Sequence, residues 1–443
     1  MNISVGSEYI KEQRRQYFLY VIESRALPHL SDGLKPAQRR VLWIGKNGDK
    51  TKTATLAGAT MPIHPHASPD DVISGMAGPW SNNIPLFTGI GAFGTMLVPN
   101  SWGAPRYTSV KVSEFTKDVV YADIEIIPMQ QNYDDTLEEP THFLPLIPIA
   151  LLNPNFGIAG GFQSNILPYD LKDIVTAQIN HLNGKKVEQV LPYFKPLDCR
   201  AVSGITDPKT NNVKYTFEGS YEQINSSEIR ITKLPYGKEH AKFVDHLAKL
   251  VEEGKIQGYD DHSKDKINII VKFVRGFLNR VQRADIIFLL KLFNTETENM
   301  NVIDFDGETV LSTNFVDVVK RFSDWRLTFY YKRYERLLDL LDLDIQRLKD
   351  VILAINKNVG GVAVKTKSKV ELEDFLEYIG VVHLDYISSL PVYRFTEEEK
   401  KKTQKRLDEA LEKRKEYVDL LSDEQKRVKV YVSELKEVLK KYG

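Results

Sequence analysis

The spacing of apolar residues in the last third of the chain predicts two long helices. Apolar positions recur in alternating steps of four and three from Leu327 to Ile355, and a second seam of this kind runs from Leu407 to Tyr442. Such a repeat places one apolar stripe along each helix. We expect the two helices to pair as an antiparallel coiled coil with a small globular head over residues 356–396. Two helices of an ordinary bundle would show the same periodicity, so that alternative stays open.

The first part of the chain has helical periodicity that is interrupted by turn residues. Residues 8–24 predict one helix, and the stretch from Leu34 to Gly45 predicts a second helix on which Arg39 and Arg40 are exposed. A third short helix is expected from Thr53 to Met61.

The clearest helix start in the sequence lies at Ser68. Ser68 can cap a helix, Pro69 suits its first turn, and Asp71 completes a capping box. Short helices, a tight turn and this capped helix together give the outline of a helix-turn-helix.

The middle of the chain predicts a mixture of strands and helices. Gly, Pro, Asn and β-branched residues are frequent from Ile84 to Ile166, which predicts short strands and loops. Strand-like alternation recurs at residues 228–232 and 267–271, and an amphipathic helix is expected from His240 to Gly254. The region therefore predicts an α+β domain.

Composition excludes several classes of protein. Hydrophobic residues make up 42% of the 443 residues and charged residues 27%, as in ordinary folded proteins. No apolar run approaches the roughly 18 residues of a membrane span, and the N-terminus lacks the apolar core of a signal peptide. The single cysteine, Cys199, excludes a disulfide framework and a cysteine-based zinc site. We therefore expect a cytoplasmic protein that does not associate with membranes.

Charge is balanced over the whole chain but not within its first part. The formal net charge is zero, whereas residues 1–60 contain ten Lys or Arg against five Asp or Glu. For a nucleic-acid partner the distribution of charge matters more than its sum.

The stretch WGAPRYTSV, from Trp102 to Val110, places an arginine directly before a tyrosine. A phenol with a pKa of about 10 is a weak nucleophile at neutral pH, so it needs a base and neighbouring cations. Arg106 would be one such cation for Tyr107. Because the chain contains 21 tyrosines, the residues alone favour a structural role for any one of them. Further cations that the fold could bring to Tyr107 are Arg25, Lys35, Arg39, Arg40, His64 and His66.

Two patterns invite a metal-site interpretation, and neither is specific. His64 and His66 would share one face of an extended segment, but no third nitrogen or sulfur ligand is near in the sequence. We favour phosphate-contacting histidines, with a structural loop as the alternative. Asp304 and Asp306 resemble an acidic pair for Mg²⁺, but Asp306-Gly307 more simply predicts a turn. We therefore predict no metal site in this chain.

Seven blocks of the sequence together resemble a known family. In this order and spacing they are similar to the breakage-reunion subunit of type IIA DNA topoisomerases, which includes the A subunits of DNA gyrase and topoisomerase IV and the medium subunit of the T-even phage topoisomerase. The resemblance is dense over residues 8–171 and looser through residues 231–258. The blocks are Ser24–Leu42, Ile63–His66, Gly89–Thr95, Pro105–Val110, Asn132–Pro140, Leu144–Asn153 and Gly157–Leu171.

The resemblance implies a role for each candidate residue. Tyr107 would attack a DNA phosphodiester and form a transient 5′-phosphotyrosine bond, with Arg106 and Arg25 as the stabilising cations. Ile158 would be the wedge that enters between base steps and bends the duplex. The implied DNA-binding residues are Lys35, Arg39, Arg40, His64, His66 and, by a looser match, Ser68.

Some positions depart from the family pattern. Ser31 stands where an arginine is usual, and Gln38 stands where gyrase commonly has histidine, so the grip on the DNA backbone is expected to be weaker there. The segment from His66 to Met76 is about two residues shorter than in gyrase, which predicts weak sensitivity to quinolones.

The resemblance also implies an α+β multidomain fold. We expect an N-terminal helical arm over residues 1–25 and a winged-helix domain with the catalytic tyrosine over residues 26–150. A tower domain would follow over residues 151–311, and a long antiparallel coiled coil with a helical dimerisation head over residues 312–443.

The implied activity is that of a type II DNA topoisomerase, an isomerase, which needs a partner protein. This chain alone would bind no cofactor, and a partner with ATPase and TOPRIM domains would supply Mg²⁺ and ATP. Cutting both strands of a duplex needs two copies of Tyr107, so a homodimer is expected.

We expect relaxation or decatenation rather than active supercoiling. A non-catalytic DNA-bending coiled-coil protein is the alternative, and a scaffold without a DNA role is a third possibility.

Overall fold

The structure is a computed structural model that describes residues 25–65, 68–159, 162–210 and 212–443. The predicted helix over residues 8–24 and the candidate residue His66 lie outside this part of the chain. The described residues form two compact units. The first extends to Arg326 and includes Glu434–Gly443, and the second comprises Leu327–Ser433.

The first unit begins with three short helices that contact one another beside a small antiparallel sheet. The strand order in this sheet is β1-β3-β2, so the strand that follows the Arg106-Tyr107 pair lies in its centre. The elements are α1 (Pro36–Ile44), β1 (Thr51–Lys52), α2 (Thr53–Thr60), α3 (Pro69–Ala77), β2 (Phe87–Ile90) and β3 (Ser109–Val112).

The helix boundaries follow the local sequence, with one correction. Pro36 occupies the first turn of α1, and the side chain of Gln38 accepts a hydrogen bond from the Lys35 N–H at 2.9 Å. Helix α3 begins at Pro69 as predicted, with Ser68 at the N-cap position. The predicted capping box is wrong, because the Ser68 side chain makes no capping hydrogen bond and only its carbonyl accepts from the Asp71 N–H, at 3.1 Å.

Two short hairpins follow the sheet in the sequence. The first joins β4 (Met129–Gln131) to β5 (Glu138–Pro140), and the second joins β6 (Asn155–Ala159) to β7 (Phe162–Ile166). Ile158 pairs directly with Gln163 across the second hairpin.

The remainder of the first unit contains two four-stranded antiparallel sheets. Their strand orders are β15-β10-β9-β8 and β11-β12-β14-β13. In β12, alternate residues Ile229 and Ile231 are buried in one core with Phe243 and Leu247 of α5, as the predicted alternation requires. The elements are α4 (Leu171–Leu182), β8 (Tyr193–Phe194), β9 (Cys199–Thr206), β10 (Val213–Glu218), β11 (Ser220–Gln223), β12 (Glu228–Lys233), α5 (His240–Glu252), β13 (Gly258–Asp261), β14 (Ile269–Lys272), α6 (Arg283–Leu289), β15 (Phe293–Glu298), β16 (Met300–Ile303) and β17 (Val310–Thr313).

The second unit is built from long helices and a small helical head. The long helices run antiparallel to each other. Near the end of the first, Ile345 and Leu348 pack with Leu407 and Ala410 in one cluster. Nearer its start, the ring of Tyr330 lies 4.9 Å from that of Tyr431, which comes later in the chain. The start of the first long helix, up to Arg326, and the end of the last, from Glu434, belong to the first unit. The elements that lie wholly or partly in the second unit are α7 (Phe315–Asn356), α8 (Val359–Ala363), α9 (Lys369–Tyr378), α10 (Leu384–Ser388), α11 (Glu397–Ser422) and α12 (Glu424–Tyr442).

The second apolar seam does not form one continuous helix. The chain is extended at Asp423, and the Asp423 carboxylate accepts the N–H of Gln425 at 2.8 Å at the start of α12. Arg427 donates to the carbonyls of Leu420 and Leu421 at 2.6 and 2.8 Å, which satisfies acceptors left at the end of α11. The mixed α/β architecture with a long helix is therefore confirmed, but the second helix is divided in two.

Candidate functional site

Tyr107 lies in a turn whose backbone is fixed by hydrogen bonds while its side chain is exposed. Its N–H donates to the Ala104 carbonyl at 2.8 Å, and the next residue, Thr108, accepts the Thr53 N–H at 3.2 Å. The hydroxyls of Thr53 and Thr108 are buried and 2.8 Å apart. The Tyr107 side chain is nevertheless 70% exposed. A fixed backbone and an accessible hydroxyl are what an attacking phenol needs.

Two cations lie beside Tyr107. The guanidinium carbon of Arg106 is 4.6 Å from the centre of the Tyr107 ring. The ammonium of Lys52 donates to the Tyr107 carbonyl at 3.3 Å. Sequence reasoning had missed Lys52. Its position in β1, where it pairs with Ser109 of the central strand, is the reason it reaches this turn.

A separate cavity of about 470 Å³ brings together four of the predicted basic residues. The residues that line it include neither Arg106 nor Tyr107. The structure therefore does not bring all of the predicted cations to the tyrosine, because Arg106 lies beside it whereas four others line the cavity. The basic residues lining the cavity are Arg25, Lys35, Arg40 and His64.

Lys35 connects this cavity to the second hairpin. Its ammonium donates to the carbonyl of Phe156, in β6, at 2.6 Å. Burial lowers the pKa of Lys35, because the charged ammonium is partly removed from water. Lys35 therefore holds the hairpin as well as contributing positive charge to the cavity.

Arg39 is not exposed, and the prediction that it would be is wrong. Its guanidinium forms two hydrogen bonds with Asp32, at 2.7 and 3.1 Å, and both side chains are buried. Asp32 also accepts the N–H groups of Leu34 and Phe143, each at 3.1 Å. Burial alone would raise the pKa of Asp32, but the charge and hydrogen bonds of Arg39 outweigh it and lower that pKa. Arg39 thus organises the turn before α1.

Arg40 is half-buried rather than exposed, and it is paired with a residue that sequence reasoning missed. Its guanidinium forms two hydrogen bonds with Glu139 of β5, at 2.6 and 3.0 Å. Glu139 is only 4% exposed. The block NYDDTLEEP contains Glu139, but nothing in the sequence indicates its partner. The pair fixes the direction in which Arg40 faces the cavity.

Ile158 is an exposed apolar residue on the second hairpin. It is 66% exposed, and Phe156 on the same strand is 56% exposed. A Cβ atom added at the intervening Gly157 would lie 1.9 Å from the Ala26 carbonyl oxygen, so only glycine allows this close approach. The hairpin is thereby pressed against the chain near Arg25 while Ile158 faces outward.

The remaining candidate residues make fewer contacts that bear on a function. Ser68 is exposed, and the His64 ring makes an edge contact with Tyr133 at 5.6 Å between centroids. The turn predicted at Asp306 is confirmed, since its carboxylate accepts the N–H groups of Glu308 and Thr309 at 3.0 and 2.9 Å. Within the described ranges, no group of three His, Cys, Asp or Glu is arranged to hold a metal ion.

The chain belongs to a family of DNA topoisomerase subunits. The family model for the A subunits of DNA gyrase and topoisomerase IV matches residues 25–436, which is most of the chain. The chain is therefore a member of this gyrase and topoisomerase IV family.

Curated relatives agree with this assignment. The chain is 28% identical over 410 residues to the DNA topoisomerase medium subunit of Enterobacteria phage T4, covering 89% of this chain and 90% of that one. It is 26% identical to the A subunit of DNA gyrase from Brachyspira hyodysenteriae and 27% identical to the A subunit of DNA topoisomerase 4 from Pseudomonas aeruginosa. The match covers 56% and 61% of those two longer proteins and nearly all of this chain. In the part of the chain that the structure describes, no helix is both long and apolar enough to span a membrane.

Proposed function

We propose that this chain is the DNA-cleaving and resealing subunit of a type II DNA topoisomerase. The observation that carries the proposal is the exposed Tyr107 side chain on a fixed backbone, with Arg106 against its ring. Family membership supplies the context in which such a tyrosine acts on DNA.

The proposed reaction is a reversible transfer of a phosphodiester. The phenolic oxygen of Tyr107 loses its proton and attacks phosphorus, while the bond from phosphorus to the 3′ oxygen breaks. The departing 3′ oxygen takes up a proton, and the 5′ end stays linked to Tyr107. Because the phosphodiester bond is exchanged rather than hydrolysed, the reverse attack by the 3′ hydroxyl reseals the strand. Arg106 would stabilise the negative charge that develops on the phosphate. Arg25, which lines the separate cavity, is proposed to contribute from the other side of the same phosphate.

The cavity residues are proposed to hold the DNA backbone near the cut. Arg25, Lys35, Arg40 and His64 give the cavity a basic lining, which suits phosphate contacts that position a duplex without reading its sequence. His66 and Ser68 are proposed to extend these contacts. We assign Arg39 an indirect part, since its buried pair with Asp32 precedes α1.

Ile158 is proposed to be the wedge that enters between base steps. An exposed isoleucine is costly in water but useful where an apolar side chain partly unstacks and kinks a duplex. In this proposal residues 26–150 act as a winged-helix domain and residues 151–311 as the tower domain beside it.

Double-strand cleavage would require a homodimer and a second kind of subunit. Each chain contributes one Tyr107, so two copies would cut the two strands. A partner with ATPase and TOPRIM domains would supply ATP hydrolysis and Mg²⁺, while the residues of this chain would hold the DNA and transfer the phosphodiester.

A covalent-complex assay tests the proposal. The full chain is mixed with its ATPase/TOPRIM partner, Mg²⁺ and supercoiled plasmid, and the mixture is then denatured. We expect protein attached to 5′ ends, and we expect Tyr107→Phe to reduce that attachment to background. The matched control is Tyr133→Phe, which removes the hydroxyl of another exposed tyrosine but keeps the ring that contacts His64.

The outcomes separate the proposal from its alternative. Attachment that survives in Tyr107→Phe would show that Tyr107 is not the nucleophile. Attachment that is lost equally in Tyr133→Phe would mean that the loss in Tyr107→Phe does not single out Tyr107. DNA bending without any covalent complex would favour the non-catalytic DNA-bending protein.

A further inference from the structure

The hairpin that carries Ile158 has only two strands of its own. A two-stranded hairpin is marginally stable by itself in water. A wedge that bends DNA must also withstand the force with which the bent duplex pushes back on it. The contacts that hold the hairpin therefore decide whether Ile158 can act.

Two asparagine side chains converge on the residue opposite Ile158. Gln163 is the cross-strand partner of Ile158 in the hairpin. The Gln163 carbonyl accepts hydrogen bonds from the side-chain amides of Asn299 at 3.0 Å and Asn301 at 2.6 Å. A carbonyl oxygen has two lone pairs, so these two donors use its full capacity.

Adjacent contacts run in both directions between the hairpin and the strands β15 and β16. The backbones of Asn165 and Asn299 exchange hydrogen bonds at 2.9 and 3.2 Å. The Asn165 side chain donates to the Thr297 carbonyl at 2.8 Å, and the buried Ser164 hydroxyl donates to the Asn301 carbonyl at 2.8 Å. We call Asn165, Asn299 and Asn301 the asparagine clamp.

We infer that the asparagine clamp positions Ile158 for bending DNA. This inference rests on the proposed function, because it assumes that Ile158 is the wedge. Hydrogen bonds are directional, so two amides on one carbonyl fix the orientation of β7. Through the cross-strand pair they also fix the height of Ile158 above the surface. Asn299 and Asn301 are positioning residues, which need not touch the DNA.

The test compares DNA bending by clamp variants of the full chain. A short duplex labelled at both ends reports bending by energy transfer when the protein binds. We expect the double variant Asn299→Ala with Asn301→Ala to lower the ratio of bent to straight complexes about tenfold. Asn301→Asp, which keeps the shape of the side chain but removes its donor, is the second variant and should act in the same direction.

The matched control is Asn294→Ala. Asn294 lies on β15 and donates to the Tyr236 carbonyl at 2.9 Å, so it makes a similar bond outside the hairpin. We expect this variant to bend DNA as the unaltered chain does. Unfolding curves for every variant show whether the chain is folded.

A second comparison separates positioning from a general effect on structure. In the Ile158→Ala background the clamp substitutions should have no further effect on bending, because the side chain they position is absent. Independent, additive effects in that background would overturn the inference, as would a folded double variant that bends DNA normally. If Ile158→Ala itself bends DNA normally, the proposed wedge fails and the inference falls with it. The two failures are therefore distinguishable.

Discussion

At the scale of single residues, Glu298 has a buried carboxyl group and directly precedes Asn299 of the asparagine clamp in the sequence. Its two oxygens accept the Leu167 N–H at 3.0 Å and the Tyr169 hydroxyl at 2.8 Å. Burial raises the pKa of Glu298 to about 7, although these two hydrogen bonds act to lower it. Glu298 is thus expected to take up a proton when the chain folds at mildly acidic pH.

The raised pKa of Glu298 predicts how stability depends on pH. Below about pH 4.5, the usual pKa of the group, Glu298 is protonated in both the folded and the unfolded chain. Between that pH and about pH 7 the folded chain binds more protons, so the free energy of unfolding falls as pH rises. The total fall would be about 3 kcal/mol. We expect Glu298→Gln to remove this fall, as measured by urea unfolding at pH 5, 6, 7 and 8.

The control for this pH series is Glu296→Gln, on the same strand. Glu296 accepts a hydrogen bond from Asn294 at 2.8 Å and is half-buried. We expect the free energy of unfolding of the Glu296→Gln variant to depend on pH as that of the unaltered chain does. If the free energy of unfolding of Glu298→Gln falls with rising pH as much as that of the unaltered chain, Glu298 is not the group responsible.

The basic residues of α1 show what sequence patterns leave undetermined at this scale. The sequence identified Lys35, Arg39 and Arg40 as charged residues near a helix start, and α1 does begin at Pro36. It did not predict their partners. Asp32 is seven positions from Arg39, and Glu139 is 99 positions from Arg40. Burial and ion pairing depend on the tertiary fold, so helical periodicity could not distinguish a DNA-facing arginine from a structural one.

At the scale of secondary-structure elements, local signals predicted boundaries well where the chemistry is local. Pro69 begins α3, and alternating residues at 228–232 form a strand, because proline and period-two burial act within a few residues. The interruption at Asp423 was not predicted, since the apolar steps continue across it. An aspartate that caps a new helix leaves the periodicity of its neighbours almost unchanged.

The second hairpin gives a prediction at the same scale. Gly157→Ala would place a Cβ atom against the Ala26 carbonyl oxygen, so the backbone of β6 or of the Ala26 segment must shift. Such overpacking costs about 1–3 kcal/mol. We expect a loss of that size in the free energy of unfolding and weaker DNA bending.

Gly258→Ala is the matched control for this substitution. No atom lies within 4 Å of a Cβ added at Gly258, which begins the short strand β13. We expect its free energy of unfolding to change by less than about 0.5 kcal/mol. Equal stability of the two variants would contradict the close approach described for Gly157.

At the scale of the whole molecule, the two apolar seams predicted the long helices well, because few structures other than a long helix are compatible with such a long periodic pattern. The seams predicted long helices, and the contacts between α7 and the helices α11 and α12 run antiparallel within the second unit. The proposed DNA-binding surface could not be predicted in the same way, since its residues come from separate parts of the chain.

The head of the second unit supplies the last prediction, which concerns the proposed homodimer. Large apolar side chains are exposed there, including Tyr378 at 87% and Val370 at 65%. Exposed apolar residues of this kind are typical of a protein contact, and a tyrosine buried in such a contact often contributes more than about 2 kcal/mol. The exposed apolar residues of the head are Val364, Val370, Tyr378, Val382, Val392 and Tyr393.

We expect Val370→Asp combined with Tyr378→Asp to weaken dimerisation about 100-fold, measured by sedimentation velocity over a dilution series. The physical reason is that burying two carboxylates without partners would oppose association. Val418→Asp is the matched control, because Val418 is an apolar residue on α11 that is 42% exposed but lies outside the head. Free energies of unfolding should stay close to that of the unaltered chain, since all three positions are exposed. A dimer of unchanged affinity in the double variant would show that the head does not hold the two copies together.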